Sequence, residues 1–263
     1  MSQKATYLDR ILDHHRAVAA NDDRSLAELV RRCEQMQPTR GFRDRLRTDA
    51  TQAIAVISEI KRRSPSKGLL RADLDPQFLA DAYQAGGASC VSVLTDEHFF
   101  EGSVEDLQIA AAACTLPILR KDFTVSPHDV CDTRLMGADC VLLIATALDP
   151  HELQDLHQLA TSIGLDVLVE IHDEAELEVA LFAEALLIGV NQRDLVTFEV
   201  DHRRALRMAG LIPLGVLRVA ESGVRGAGDA LALHQAGYHA VLVGESLVTA
   251  DDPMGAVRVL RNL

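Results

Sequence analysis

The chain has 263 residues, 48% of them hydrophobic and 25% charged, and a formal net charge of −13. A compact chain of this length hides about three quarters of its unfolded surface, so it needs no disulfide framework or structural metal to fold. The negative charge speaks against general affinity for nucleic acid or an anionic membrane, because both need a positive field.

The first elements in chain order are helical. Tyr7, Leu8, Ile11, Leu12 and His15 recur at helical spacing, as do Leu26, Leu29 and Val30. Asn21-Asp22-Asp23, then Pro38 and Gly41, punctuate them. Residues 1–52 are therefore predicted to form a helical extension packed on a body that spans 53–263. From residue 53 short apolar runs alternate with amphipathic segments. The strand-like runs are 53–60, 89–94, 117–120, 140–145, 166–171, 185–190, 216–220 and 240–243, with helices predicted over 76–85, 104–113, 128–136, 150–163 and 174–182. Pro76, Pro127 and Pro150 stand at helix starts, and Gly86, Gly137, Gly164 and Gly237 at helix ends.

Near-continuous apolar strands joined by helices indicate a parallel sheet covered by helices. Eight such units predict an α/β fold, a closed (βα)8 TIM barrel with an N-terminal helical extension; a doubly wound open sheet uses much the same pattern. Five cysteines with no CxxC pair, two of them (Cys90 and Cys140) in apolar runs, fit buried thiols in a reducing compartment. Polar residues rather than a signal peptide follow Met1, and no apolar run approaches the ~20 residues of a membrane span. A soluble cytoplasmic protein is expected.

Chemistry in such a barrel lies at the C-terminal strand ends. Here the first strand ends in Glu59 and Lys61, the third in Arg120-Lys121-Asp122, and the fifth in Glu170 and His172. The sixth runs into Asn191 and Arg193, the seventh into Glu221-Ser222-Gly223, and the eighth into Gly244-Glu245-Ser246. Side chains two apart share a face, so Glu59 with Lys61, and Asn191 with Arg193, point into one mouth. Glycines at the seventh and eighth strand ends, just before helices, let backbone N–H groups approach a phosphate. Residues 53–263 carry 16 Lys+Arg against 31 Asp+Glu, yet Lys61, Arg62, Arg63, Lys67 and Arg71 form a basic cluster, read as attraction for phosphate at the mouth. The ten histidines contain no HExxH or similar ligand set, and His14-His15 reads as a solvated helical pair, so no metal is expected.

The segment Ile57-Ser-Glu-Ile-Lys-Arg-Arg-Ser-Pro-Ser-Lys-Gly68 closely resembles the first-strand signature of the indole-3-glycerol-phosphate synthase family. The resemblance continues in order through Ser92-Val-Leu-Thr-Asp96, Leu119-Arg-Lys-Asp-Phe123, Val169-Glu-Ile-His172, Gly189-Val-Asn-Gln-Arg-Asp-Leu195, Ala220-Glu-Ser-Gly-Val224 and Val243-Gly-Glu-Ser246. It implies a lyase of tryptophan biosynthesis that closes, decarboxylates and dehydrates a phosphorylated anthranilate substrate, 1-(2-carboxyphenylamino)-1-deoxyribulose 5-phosphate. No hydride or electron moves in that reaction, so no cofactor is expected. Another phosphate-binding barrel, such as a phosphoribosylanthranilate isomerase, would explain the fold and the phosphate motifs but not Glu59-Lys61 or Lys121 with Glu170. A catalytically silent phosphometabolite-binding barrel would explain neither set of acids and bases. No motif names a partner among the other tryptophan-pathway enzymes.

By this resemblance Lys121 is the acid at the attacked carbonyl, expected to lose proton affinity beside Arg120 in a partly dry mouth. Lys61 binds substrate and donates a proton during dehydration, with Glu59 as its carboxylate partner and base. Glu170 stabilises the cation formed on ring closure, and Glu221 assists its neighbours. Asn191 and Arg193 orient the substrate, Ser64 holds the same end, and Ser222, Gly223, Gly244 and Glu245 match phosphate-binding positions. Gln192 and Glu184 depart from the family pattern, which favours Asn and Gly there; Glu184 reads as a local loop difference. The Ser64–Gly68 stretch and the Phe42 region are expected to close over the mouth.

Overall fold

The computed structural model describes residues 6–65 and 67–261. Eight parallel strands close into a barrel: β1 (Ala55–Ile60), β2 (Cys90–Leu94), β3 (Ile118–Lys121), β4 (Cys140–Ile144), β5 (Asp166–Ile171), β6 (Leu187–Asn191), β7 (Leu217–Glu221) and β8 (Ala240–Val243). Each strand pairs with its sequence neighbours, and β8 closes on β1 with Ile57 opposite Leu242. The expected TIM barrel is therefore the observed one. Its wall consists of the Val, Ile and Leu runs, buried on both faces because helices cover the outside.

Between the strands lie α4 (Pro76–Gly86), α5 (Glu97–Phe100), α6 (Val104–Ala113), α7 (Pro127–Leu135), α8 (Pro150–Ser162), α9 (Glu174–Phe182), α10 (Arg204–Met208) and α11 (Ala227–Gln235), with α12 (Glu245–Val248) and α13 (Pro253–Arg261) after β8. Asp75, Ser126 and Asp149 cap the helices that open with the three prolines, each side chain accepting backbone N–H groups that the first turn leaves free. The stop of α4 differs from expectation by one residue. Gly86 is still helical and sits against the Met254 carbonyl, while Gly87, at φ 88°, takes the left-handed cap.

The extension comprises α1 (Tyr7–Ala20), α2 (Leu26–Glu34) and α3 (Phe42–Asp49), and it touches both ends of the barrel. Helix α1 lies at the mouth. Tyr7 packs edge-on against Phe99 and Phe198, and Arg16 donates to the Ala147 carbonyl and to Glu152. His15 is not solvated as expected: its Nε2 lies 2.8 Å from Asp96, with Asp122 at 3.8 Å, whereas His14 stacks on His98. Burial opposes a charge on His15, but these carboxylates outweigh it and raise its proton affinity.

The Phe42 region lies at the opposite end from the one expected. Phe42 is fully buried and its carbonyl accepts from Cys90, the first residue of β2; the Arg43 N–H reaches Asp166, the first residue of β5. Arg40 binds Asp139, just before β4. Helix α3 thus plugs the floor of the barrel, where Asp139 and Asp166 at strand starts hold the Arg40 guanidinium and the Arg43 backbone N–H at its start.

Candidate active site

The C-terminal strand ends enclose a cavity of about 450 Å³. All twelve residues singled out from the sequence line it: Glu59, Lys61, Ser64, Lys121, Glu170, Asn191, Arg193, Glu221, Ser222, Gly223, Gly244 and Glu245. Strand alternation explains the centre. Glu59, Lys121, Glu170 and Glu221 come from β1, β3, β5 and β7, the arrangement by which alternate strands of such a barrel fill one layer. Here the top layer is ionic rather than aliphatic, and Leu142 and Leu242 lie against it from even-numbered strands.

Lys121 Nζ lies 3.1 Å from Glu170 Oε2 and 3.7 Å from Glu221 Oε2. Asn191 Nδ2 donates to Glu170 Oε1 at 3.0 Å, while the Asn191 carbonyl oxygen of the side chain accepts the Arg193 N–H. Lys61 pairs with Glu59, two residues before it at the end of β1. Two glycines make room for these carboxylates. A Cβ at Gly189 would overlap the Glu221 carboxylate, and one at Gly244 would overlap that of Glu59.

The proton affinities follow from burial and charge together. Lys121 departs from expectation: burial pulls its affinity down, but Glu170, Glu221 and Glu59 outweigh burial and raise it. Arg120, expected to lower it, is turned outward by alternation, to Thr95, Asp122 and the Asp129 carbonyl. Burial would raise Glu170, yet Lys121, His172 and the Asn191 amide hold its carboxyl below the ordinary range. Glu221 is pushed up to about 8, by burial first and then by the Glu170 charge. The mouth therefore holds an ammonium, an ionised carboxylate and a neutral carboxylic acid side by side near neutrality.

Residues the sequence did not single out complete the cavity. Phe100, Phe123, Phe198, Leu142 and Ile144 give it an apolar wall fit for an aromatic ring, and Arg225 stands on the rim beside Gly223. Their place at strand ends was the available signal, but an aromatic there reads equally well as core. Of the basic cluster, Arg62 is committed to Asp106 and Arg63 to Glu101, and Lys61 lines the cavity. The 61–71 loop is a short turn pairing Arg63 with Leu69, and Ser66 lies outside the described residues. Glu184 sits at φ 58°, which supplies the reason that glycine suits the position. Near β7, Ser222 and Gly223 both adopt positive φ, at 63° and 73°. The helices that follow, α11 and α12, start from Gly226 and Gly244 with no side-chain cap, which leaves their first N–H groups free of such partners. Among the described residues, no helix is long and apolar enough to cross a membrane.

A parallel (βα)8 barrel with ionisable groups gathered at such a mouth has the build of an enzyme for a small molecule. The sequence profile of the indole-3-glycerol phosphate synthase family matches residues 8–260. The chain belongs to that family. A relative named indole-3-glycerol phosphate synthase, from Bordetella pertussis, is 46% identical over 235 residues, covering 89% of this chain and 90% of its own. Two solved barrels are similar in fold alone. The 3-hexulose-6-phosphate synthase of Salmonella typhimurium has a TM-score of 0.63 at 15% identity, over 79% of this chain and 96% of its own. Thiamine phosphate pyrophosphorylase from Pyrococcus furiosus has 0.60 at 13%, over 80% and 95%.

Proposed function

We propose that this mouth carries out the indole-3-glycerol phosphate synthase reaction with Lys121 and Glu170 at its centre. The substrate is 1-(2-carboxyphenylamino)-1-deoxyribulose 5-phosphate, and its phosphate rests on backbone N–H groups of Ser222 and Gly223, in the loop after β7, and of Gly244 and Glu245, at the uncapped start of α12. The aromatic ring lies on Phe100, Phe123 and Leu142, with Ser64, Asn191 and Arg193 orienting its carboxylate end. Arg193 serves orientation rather than chemistry, because tight binding of a departing carboxylate would stabilise the ground state.

The ring carbon bearing the carboxylate attacks the sugar carbonyl carbon, and Lys121 protonates the oxygen as it becomes an alkoxide. A raised proton affinity keeps Lys121 charged beforehand, and a developing alkoxide is basic enough to take the proton. Ring closure leaves a cation delocalised onto the nitrogen. Glu170, buried and already oriented by Asn191, stabilises it better than water can. Loss of carbon dioxide returns the bonding electrons to the ring. The hydroxyl then leaves as water with a proton from Lys61, while Glu59 accepts the proton released in forming the indole. Glu221, neutral at the start, supports Lys121 without adding a second full negative charge beside Glu170.

The single observation that carries this reading is the contact of Lys121 with Glu170 inside the apolar-walled cavity. It predicts that Lys121→Met and Glu170→Gln each lower kcat by about 10²–10⁴-fold with KM changed far less. Either variant turning over substrate within a few-fold of wild type, as folded protein, refutes the assignment.

A further inference from the structure

His172 stands two residues beyond Glu170, at the end of β5, and takes no part in the steps above. Its side chain is 12% exposed, and it lies behind Glu170 rather than in the cavity wall. One ring nitrogen is firmly held. Nδ1 lies 3.0 Å from Glu176 Oε2, and the same oxygen accepts the backbone N–H of His172 at 2.7 Å. Glu176 is fixed in turn in the first turn of α9, where its N–H donates to Asp173. The other nitrogen, Nε2, is buried without a hydrogen-bond partner, 3.8 Å from Glu170 Oε1.

Neither neutral tautomer suits this place. With the proton on Nδ1, the Nε2 lone pair faces the Glu170 carboxylate; with it on Nε2, the Nδ1 lone pair faces Glu176. The imidazolium alone presents an N–H to both carboxylates. The charged groups around it are Glu170 on β5, Glu176 on α9 and Arg204 on α10. Burial and Arg204 disfavour the cation, and the two carboxylates outweigh them, which raises the proton affinity of the ring.

We propose that His172, held by Glu176, is a positioning residue: an imidazolium behind Glu170 that keeps this carboxylate anionic while Lys121 gives up its proton. The inference rests on the roles given above to Lys121 and Glu170. In the resting site Glu170 faces two cations, with Lys121 near Oε2 and His172 near Oε1. Proton transfer to the substrate neutralises Lys121 as positive charge builds on the substrate ring. With Lys121 neutral, a buried carboxylate that faces only the still-developing substrate cation holds its charge less firmly and takes up a proton more readily. His172 stays out of the transfer, so its charge persists through that step.

The test is kcat and KM against pH for wild type, His172→Gln, Glu176→Gln, Glu170→Gln and the His172→Gln/Glu170→Gln double variant. His172→Gln should lower kcat about tenfold or more at near-constant KM and move the acidic limb of the kcat profile up by about one pH unit, since Glu170 then protonates more readily. Glu176→Gln should move it the same way by less. The double variant should be no slower than Glu170→Gln alone, because the histidine acts through that carboxylate. An unmoved acidic limb in His172→Gln, or multiplicative losses in the double variant, overturns the proposal. Glu170→Gln with wild-type turnover would instead overturn the site assignment itself, and the proposal with it. Should His172→Gln fail to fold, imidazole NMR on the wild type decides: a charged ring at neutral pH that loses proton affinity in Glu170→Gln supports the proposal, and a neutral ring overturns it.

Discussion

Replacing Glu221 with Gln tests the electrostatics of the mouth through stability rather than turnover. Glu221 is 1% exposed, and its carboxyl is raised from 4.5 to about 8. Between those values the folded state keeps a proton that the unfolded chain has released, so stability present below pH 4.5 is lost as pH rises towards 8. The slope is about 1.4 kcal/mol per pH unit, or ~4 kcal/mol from pH 5 to pH 8 if Glu221 alone carries the shift. Sharing of the proton with Glu170 reduces this to about 2–4 kcal/mol. Gln has the same shape and no proton to lose. Relative to wild type, Glu221→Gln should therefore gain stability steadily across that range, a Tm difference widening by about 5–15 °C in a chain of this size. Circular-dichroism melts of both proteins at pH 5, 6, 7 and 8 measure it. Parallel Tm curves for the two proteins across pH 5–8 would refute the reasoning.

Three further outcomes follow from the geometry. Gly189→Ala places a methyl group against the Glu221 carboxylate and within 3.3 Å of Leu168 Cδ1, so kcat should fall by about 10–100-fold while the fold survives, with the displaced Glu221 visible in a crystal structure; wild-type kcat would contradict it. Glu184→Gly relieves an exposed left-handed residue and should raise unfolding free energy in urea by about 1 kcal/mol, whereas a loss would show that φ 58° carries no strain. Phe42→Ala opens the floor plug and should cost about 3–5 kcal/mol in urea unfolding, yet leave kcat per folded molecule within about twofold, because the mouth is at the other end. A large drop in kcat with little loss of stability would return Phe42 to a mouth-closing role.

Much of the barrel was legible because several units repeat one device, a glycine and then a buried apolar run, and three of the helices between the strands open on a proline. The strand ends were less legible for a physical reason. Lys121, Asn191 and Glu221 each lie one residue past the predicted run, because the apolar pattern stops where the side chains turn functional while the backbone ladder continues. The polar residues of the mouth could be read from their places after those runs. Their proton affinities could not. The prediction for Lys121 weighed its neighbour Arg120, but alternation sends that side chain outward and brings three carboxylates from distant strands instead. Nor does a helical pattern state which end of a barrel it covers. Phe42 and Tyr7 look alike as apolar helix starts, and only the acidic residues at strand starts, Asp139 and Asp166, draw the Arg40–Arg43 segment to the floor. The aromatic wall was hidden by ambiguity, since Phe100, Phe123 and Phe198 fit a core as readily as a cavity.

The most direct test of the central claim follows carbon dioxide and indole together, using 1-(2-carboxyphenylamino)-1-deoxyribulose 5-phosphate labelled in the carboxylate carbon. The chain contains no Trp, so indole fluorescence rises over a low protein background. The account predicts that labelled carbon dioxide and fluorescent product appear at equal rates and in equal amounts with wild-type protein, and that Lys121→Met suppresses both. Substrate left intact by folded wild-type protein, or consumed without release of carbon dioxide, would contradict it.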